Sequence, residues 1–311
     1  MTVAVRLFKL VGLPLIGVLA FLFLWNAGAS RVDTSLGQFP GPTEVWEQSG
    51  NLYVEHQEQR AKAAAFYQRQ DERNAAKLAE NPDYVPKMRA YTGKPTFFDQ
   101  IGTSLVTVMT GFVLATAIAV PIGIVIGLSQ TLYAAINPLI QLFKPVSPLA
   151  WLPLVTMVVS AVYISDDPLV PKSFLNSMIT VMLCCIWPTI VNTAVGVANV
   201  SQDHENVSRV LRLGPLTHVR KVVLPSSIPM VFTGLRLSLS IAWMVLIAAE
   251  MLAQNPGLGK FVWDEFQNGS SNSLGRIMVA VIAIGAIGFL LDRGMLLLQR
   301  LFSWDKQAKL R

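Results

Sequence analysis

Residues 201–229 read SQDHENVSRVLRLGPLTHVRKVVLPSSIP, a polar and basic interruption between two long apolar segments. Apolar segments of that length read as membrane spans, so the stretch is expected to be a loop on one face of a bilayer. Ser201 or Asp203 can cap a helix running to about Leu213, and the Gly214-Pro215 pair stops it. A second helical turn follows with Val219, Arg220, Lys221 and Val222, and Leu224-Pro225 leads back into apolar sequence. A short amphipathic helix turned back by Gly-Pro suits docking into a groove on a soluble partner. An ordinary basic loop is the alternative these residues leave open.

Composition supports the membrane reading. Of 311 residues, 52% are apolar and 14% charged, against roughly 25% charged in a soluble domain. The formal net charge of +6 is no nucleic-acid signal, because the basic residues stand at span ends and not on one stripe. Cys184 and Cys185 are adjacent within an apolar run, which makes them small hydrophobes; they form neither a disulfide framework nor metal spacing. No cofactor is expected.

The pattern is that of an all-α polytopic membrane protein with six spans, at about 8–25, 103–128, 149–164, 174–200, 231–253 and 277–298. The first could be a cleaved signal, since Asn26-Ala-Gly-Ala-Ser30 supplies small residues; its length and its Leu and Phe content favour an uncleaved anchor over 1–25. Residues 26–100 differ from everything else. They hold a helix expected over 43–80 and then Pro82, Pro86 and Pro95, with nine Lys/Arg against ten Asp/Glu. That balance suits a solvated helical insert better than a catalytic domain. Gly123 and Gly127 sit at the small-xxx-small spacing that lets helices approach closely in lipid. A connector over 129–148 has the character of an interfacial helix, Ser165-Asp-Asp-Pro168 reads as a turn, and 254–275 is rich in Gly, Asn and Ser. A five-span core over 101–301 and a short tail, 302–311, complete the division.

Lysine and arginine set the orientation. With the N-terminus inside, Arg6, Lys9, Lys144, the basic cluster of 201–229 and the C-terminal tail fall in the cytoplasm, while the short external loops receive Lys172, Lys260 and the border residue Arg276. Both termini and the organising loop are then cytoplasmic.

Candidate chemistry is sparse. Gly257-Leu-Gly-Lys260 lacks the spacing of a phosphate cradle, and His56, His204 and His218 are scattered over polar segments. The chain is therefore no ATPase and is expected to be no enzyme. Glu250, in Ala248-Ala-Glu-Met251, is the most informative residue within a span: it either faces an interior or snorkels to the external surface. From its depth and the Asn255-Pro-Gly-Leu-Gly259 turn that follows, it is expected to accept hydrogen bonds from donors near Gly257 to Gly259. Arg236 is expected to reach the cytoplasmic surface, Asp292 and Arg293 to pair with each other or with headgroups, and Trp151, Trp187 and Trp243 to serve packing or the interfacial belt.

Three runs carry a family resemblance: 246–270, LIAAEMLAQNPGLGKFVWDEFQNGS; 143–153, FKPVSPLAWLP; and 232–238, FTGLRLS. They resemble the permease subunits of nitrate-type ABC importers, in the wider nitrate/sulfonate/bicarbonate group. The likeness covers about 95–301 and leaves the insert outside. The 201–229 loop is similar to that group's coupling signature: Glu-Ala-Ala, three residues, Gly, nine residues, Ile, one residue, Leu-Pro. Counted back from Pro225, Leu224 and Val222 fit its end; Asn206, Val207 and Ser208 fall on Glu-Ala-Ala and Arg212 on the glycine, with Glu205 and Gly214 as near misses.

The resemblance implies a methionine-importer-like (MetI-like) core with one extra N-terminal span, in the bacterial inner membrane. It implies a homodimer, ATP-binding cassette subunits docked on the cytoplasmic loop, and a periplasmic substrate-binding protein, with no nucleic acid involved. Nitrate is the first substrate by resemblance, with bicarbonate, sulfonate or taurine, and nitrite or cyanate as relatives. On the same reading, Glu250, Gly257, Gly259, Trp243 and Trp151 belong to the gate or pathway, with Glu250 bracing the external gate because a bare carboxylate lining the route would repel an anion. An ion-driven secondary transporter is the competing class, against which stand one off-centre carboxylate and the lack of an internal repeat. A membrane-anchored sensory protein would place its function in the insert.

Overall fold

The computed structural model describes Phe8 and residues 12–34, 37–164, 170–270 and 272–302. The turn at 165–168, Arg6, Lys9 and the tail beyond Phe302 lie outside the described residues. In chain order the elements are α1 (Leu13–Ala29), a small antiparallel hairpin of β1 (Asp33–Thr34) and β2 (Gly37–Gln38), α2 (Pro42–Glu80), α3 (Phe97–Gly127), α4 (Gln130–Phe143) and α5 (Pro148–Val162). Then follow α6 (Lys172–Ala198), α7 (Gln202–Val210), the single turn α8 (Pro215–His218), a π turn (Val219–Val223), α9 (Leu224–Ala253), α10 (Leu258–Asn268) and α11 (Ser273–Phe302). The protein is predominantly helical, as composition and periodicity require.

Among the described residues four helical runs are long and apolar enough to cross a bilayer, 97–127, 172–198, 215–253 and 273–302. A fifth crossing exists if α4 and α5, bent by 97° at their junction, count as one span. The expected third span is shorter than composition implies: α5 has 15 residues, about 22 Å against a hydrocarbon core of about 30 Å. The apolar run is real, but Ser147 caps a new helix in it, its Oγ accepting from Leu149 N at 3.3 Å, and the chain changes direction there. Helix α1 has 17 residues, so the sixth crossing also rests on a short element. The connector over 129–148 does contain a helix, capped by Ser129. The Gly/Asn/Ser-rich segment 254–275 hides α10, which the sequence reading passes over because small residues flank it on both sides.

The chain forms two compact units. The first comprises the residues up to Gln100 together with Phe261–Ala283. Its long polar helix α2 is explained by what runs back along it. Gln70 clamps the backbone of Arg89, with Arg89 N donating to Oε1 at 2.9 Å, and Tyr67 Oη accepts from Tyr91 N at 3.1 Å. Asn74, buried, donates to Lys87 O at 3.3 Å and accepts from Tyr84 at 3.4 Å. An extended segment has no ladder of its own, so amide and hydroxyl side chains on the helix satisfy its main chain. Arg60 pairs with Asp99, while Arg276 is held between Glu55, at 2.5 and 2.9 Å, and Glu265, at 2.7 Å.

The second unit comprises Ile101–Lys260 and the chain from Ile284 onwards. Helix α6 is its axis, with thirteen buried residues that include Ser177, Thr180, Thr189 and Thr193. Two neighbours approach it at backbone distance. A Cβ on Gly111 would lie 2.9 Å from Met178 O, on Gly123 2.6 Å from Thr193 Cβ, and on Gly127 2.6 Å from Ala194 O. On α9, a Cβ on Gly234 would lie 3.0 Å from Pro188 O. Small residues here are a packing requirement, since in lipid helices associate through contact and not through exclusion of water. Helices α3 and α11 expose Val106, Val113, Val125, Phe289, Leu290 and Leu297, the apolar outer face of a lipid-embedded bundle.

Candidate functional site

The 201–229 loop is built from a capped helix and a sharp stop. Ser201 Oγ accepts from His204 N at 3.5 Å, beginning α7. The helix ends at Val210, three residues before the expected Leu213. Arg212 N donates to Arg209 O and Leu213 N to Ser208 O, each at 3.1 Å, which is the paired Schellman closure. Closure of this kind puts a left-handed residue just past the helix, and Arg212 has φ 45°. Glycine is the residue that adopts this conformation without penalty. Gly214, by contrast, has φ −65° and ψ 157°, open to any residue, and a Cβ there would meet nothing within 4 Å. The conformation that needs a glycine therefore stands at the position where the coupling signature has one.

Around that stop, Ser208 is buried and its Oγ lies 2.7 Å from His218 Nδ1, tying α7 to α8. Glu205 pairs with Arg209 at 3.4 Å, Asn206 is exposed, and Val222, Leu224 and Pro225 are half-buried where α9 begins. Val207, Val210, Leu211 and Leu216 are left exposed, Val210 and Leu216 each at 82%. An open cavity of about 610 Å³ lies beside them, lined by His204, Val207, Lys221 and Pro225 among others.

At the other end of α9, Glu250 is fully buried. Its Oε2 accepts from Ser104 Oγ at 2.8 Å and from Gly259 N at 3.1 Å, and its Oε1 from Asn255 Nδ2 at 3.4 Å. Asn255 also donates to Thr107 Oγ1 at 3.3 Å, and Ser104 Oγ accepts from Leu258 N at 2.8 Å. The carboxylate thus joins α3, the end of α9 and the start of α10, without snorkelling to a surface. A Cβ on Gly257 would overlap the carboxylate itself, and one on Gly259 would meet the Ile247 carbonyl. Donation near Gly257 to Gly259 is thus present. Ser104, Thr107 and Asn255 are additions that sequence reasoning missed; the available signal was Ser104 and Thr107 one turn apart near the start of a mostly apolar span.

Two expectations about charge are corrected. Helix α9 begins at Leu224, which puts Arg236 roughly 18 Å along it and roughly 26 Å from its far end. It does not reach for a surface. Its Nε donates to Asp292 Oδ1 at 3.0 Å and its Nη2 to Oδ1 and Oδ2 at 2.9 and 3.3 Å. Asp292 accordingly pairs neither with Arg293, whose guanidinium lies 4.9 Å from the Phe289 ring centroid, nor with a headgroup. Trp243 is buried, with Nε1 donating to Ile284 O at 2.9 Å. Trp151 packs its ring 6.0 Å from that of Phe143, and its Nε1 has no hydrogen-bond partner among the described residues. Among the same residues no group of three His, Cys, Asp or Glu could hold a metal ion.

The relatives of this helical membrane bundle are permease components, which are transport subunits and not enzymes. The family described as "Binding-protein-dependent transport system inner membrane component" matches residues 119–304, and the chain belongs to it. It is 34% identical to the bicarbonate transport system permease protein of Synechococcus elongatus, over 93% of this chain and 88% of that one. It is 37% identical to the nitrate import permease protein of Leptolyngbya laminosa, over 65% of this chain and 68% of that one. The inward-facing MetNI methionine ABC transporter shares the fold, with a TM-score of 0.57 at 12% identity over 67% of this chain and 96% of that one. One expectation changes: an alignment spanning 93% of the chain must include most of the insert, so the likeness is not confined to 95–301.

Proposed function

We propose that the chain carries a small planar oxyanion, nitrate first, from periplasm to cytoplasm, driven by a separate ATP-binding subunit docked on the 201–229 loop. The observation that carries the coupling is the loop itself. It holds four exposed aliphatic side chains, Val207 and Val210 on a short helix and Leu211 and Leu216 beyond it, and that helix's left-handed stop falls at the glycine position of the coupling signature. Nitrate rests on the identity over the shared core. Bicarbonate is the second reading, favoured by the longer alignment through the insert. On this reading Glu205, Asn206, Val207, Ser208, Arg212, Gly214, Val222, Leu224 and Pro225 form the coupling element, a second copy completes the permease, and a periplasmic binding protein delivers the anion. Residues 1–25 are an anchor, 26–100 a periplasmic insert, 101–301 the core and 302–311 a cytoplasmic tail.

Leu216→Asp or Val210→Asp should leave insertion intact while cutting co-purification of the ATP-binding subunit about tenfold or more, as loss of an apolar anchor does, with uptake lost alongside. Purified permease moving nitrate at full rate in liposomes without that subunit would end the assignment. The orientation is tested separately. Gly214→Cys and Asn268→Cys, made singly in a background lacking Cys184 and Cys185, should label from opposite faces. Asn268 is chosen because the adjacent Gly269 has φ 60°. Labelling of both from outside would overturn the topology.

A further inference from the structure

The Arg236–Asp292 pair lines a cavity that the coupling loop and the Glu250 cluster do not involve. Its volume is about 130 Å³, bounded by Arg236, Ser240 and Trp243 on α9 and by Gly288, Leu291 and Asp292 on α11. A water occupies roughly 30 Å³, so a small ion with a little water fits there. Arg236, Ser240 and Trp243 stand at successive turns of one helix face, so the cavity is a feature of the helices and not of a loop. An ion pair between two long apolar helices of a membrane bundle is expensive to place and is found where charge or substrate passes.

We propose that Arg236 is the anion-binding residue of the transport route, with Asp292 orienting its guanidinium and weakening its hold; this rests on the oxyanion reading above. Three of the guanidinium contacts go to Asp292, through Nε and Nη2. Among the described residues Nη1 donates to nothing, which leaves one edge of the planar fork, with the Ser240 hydroxyl one turn away, for a planar three-oxygen anion. A lone arginine in this setting would bind an anion and keep it. A conduction site has to release what it binds, and a neighbouring fixed carboxylate supplies that weakening. Asp292 also keeps the fork flat against α11 while the site is empty.

The test uses the complete transporter, with its ATP-binding subunit and binding protein, in proteoliposomes given isotopic nitrate or bicarbonate outside and unlabelled nitrate inside. Uptake of neither anion by the unmodified protein would sink the oxyanion reading, and this site with it. Given uptake, Asp292→Asn should slow transport and make it inhibited by internal nitrate at about fivefold lower concentration or less, the lower end of ordinary coupling between sites. Arg236→Gln should lose uptake, and Arg236→Lys should keep only part of it. The charge exchange Arg236→Asp with Asp292→Arg rebuilds the pair but moves the guanidinium to α11. It should assemble and still transport poorly. Near-normal uptake by the exchanged variant would show a structural tie only and overturn the proposal. If the exchanged protein fails to assemble, Asp292→Asn decides, and unchanged sensitivity to internal nitrate overturns it.

Discussion

Glu250→Leu should abolish uptake and raise ATP hydrolysis in the absence of substrate, whereas Glu250→Gln should retain substantial uptake. Leucine leaves Gly259 N–H without its acceptor in a fully buried place, leaves the Asn255 amide only Thr107 Oγ1, and removes the oxygen to which the Ser104 hydroxyl donates. An unsatisfied buried donor costs about 1–3 kcal/mol each. Glutamine keeps an oxygen where Ser104 and Gly259 donate, and its amide nitrogen faces Asn255, which can turn its own oxygen towards it. Gly259→Ala should behave as leucine does at 250, because its new Cβ meets the backbone carbonyl of Ile247, which has no rotamer to escape into. Uptake and basal ATPase rates of the three variants decide the matter. A glutamine variant as inactive as the leucine one would mean that the charge itself is needed, and the bracing role would fail.

Gly123→Leu should prevent stable assembly of the bundle, seen as loss of folded protein in detergent. The new side chain would run into Thr193 and the Ile190 carbonyl, where even a Cβ finds neighbours at 2.6 and 2.9 Å. Overpacking costs about 1–3 kcal/mol when a core can yield, and here the obstacle is partly main chain. Gly102→Ala on the same helix is the control, since a Cβ there meets nothing within 4 Å. It should leave yield unchanged or raise it slightly, by about 1 kcal/mol of helix propensity. Equal damage from both substitutions would show that the helix itself, and not its contact with α6, is sensitive.

Much of this was legible in the sequence, for reasons that differ by element. The long apolar helices were plain because composition alone requires them in a bilayer. Helix α2 emerged within a residue of its expected start, since Pro42 fits a first turn and Gly41 N donates to Glu44 Oε2 at 3.0 Å to close it. The α4–α5 bend was not legible, because apolar content does not record a change of direction. Arg236 and Asp292 lie 56 positions apart, and no local pattern couples them. The strain at Arg212 showed only through the spacing of the coupling signature, since positive φ leaves no trace in composition.

The helical run from Pro215 to Ala253 has 39 residues, about 58 Å at the rise of an α-helix. It is a strut with the 201–229 loop at its foot, Arg236 partway along and buried Glu250 near its head. A rod of that length transmits a shove as displacement of the far end. Its hydrogen-bond register changes at the π turn Val219–Val223, beside the foot, and Pro229 interrupts it again further on. On the coupling proposed above, a residue added to or removed from the π turn should alter how a push at the loop reaches Glu250 while leaving both ends chemically intact.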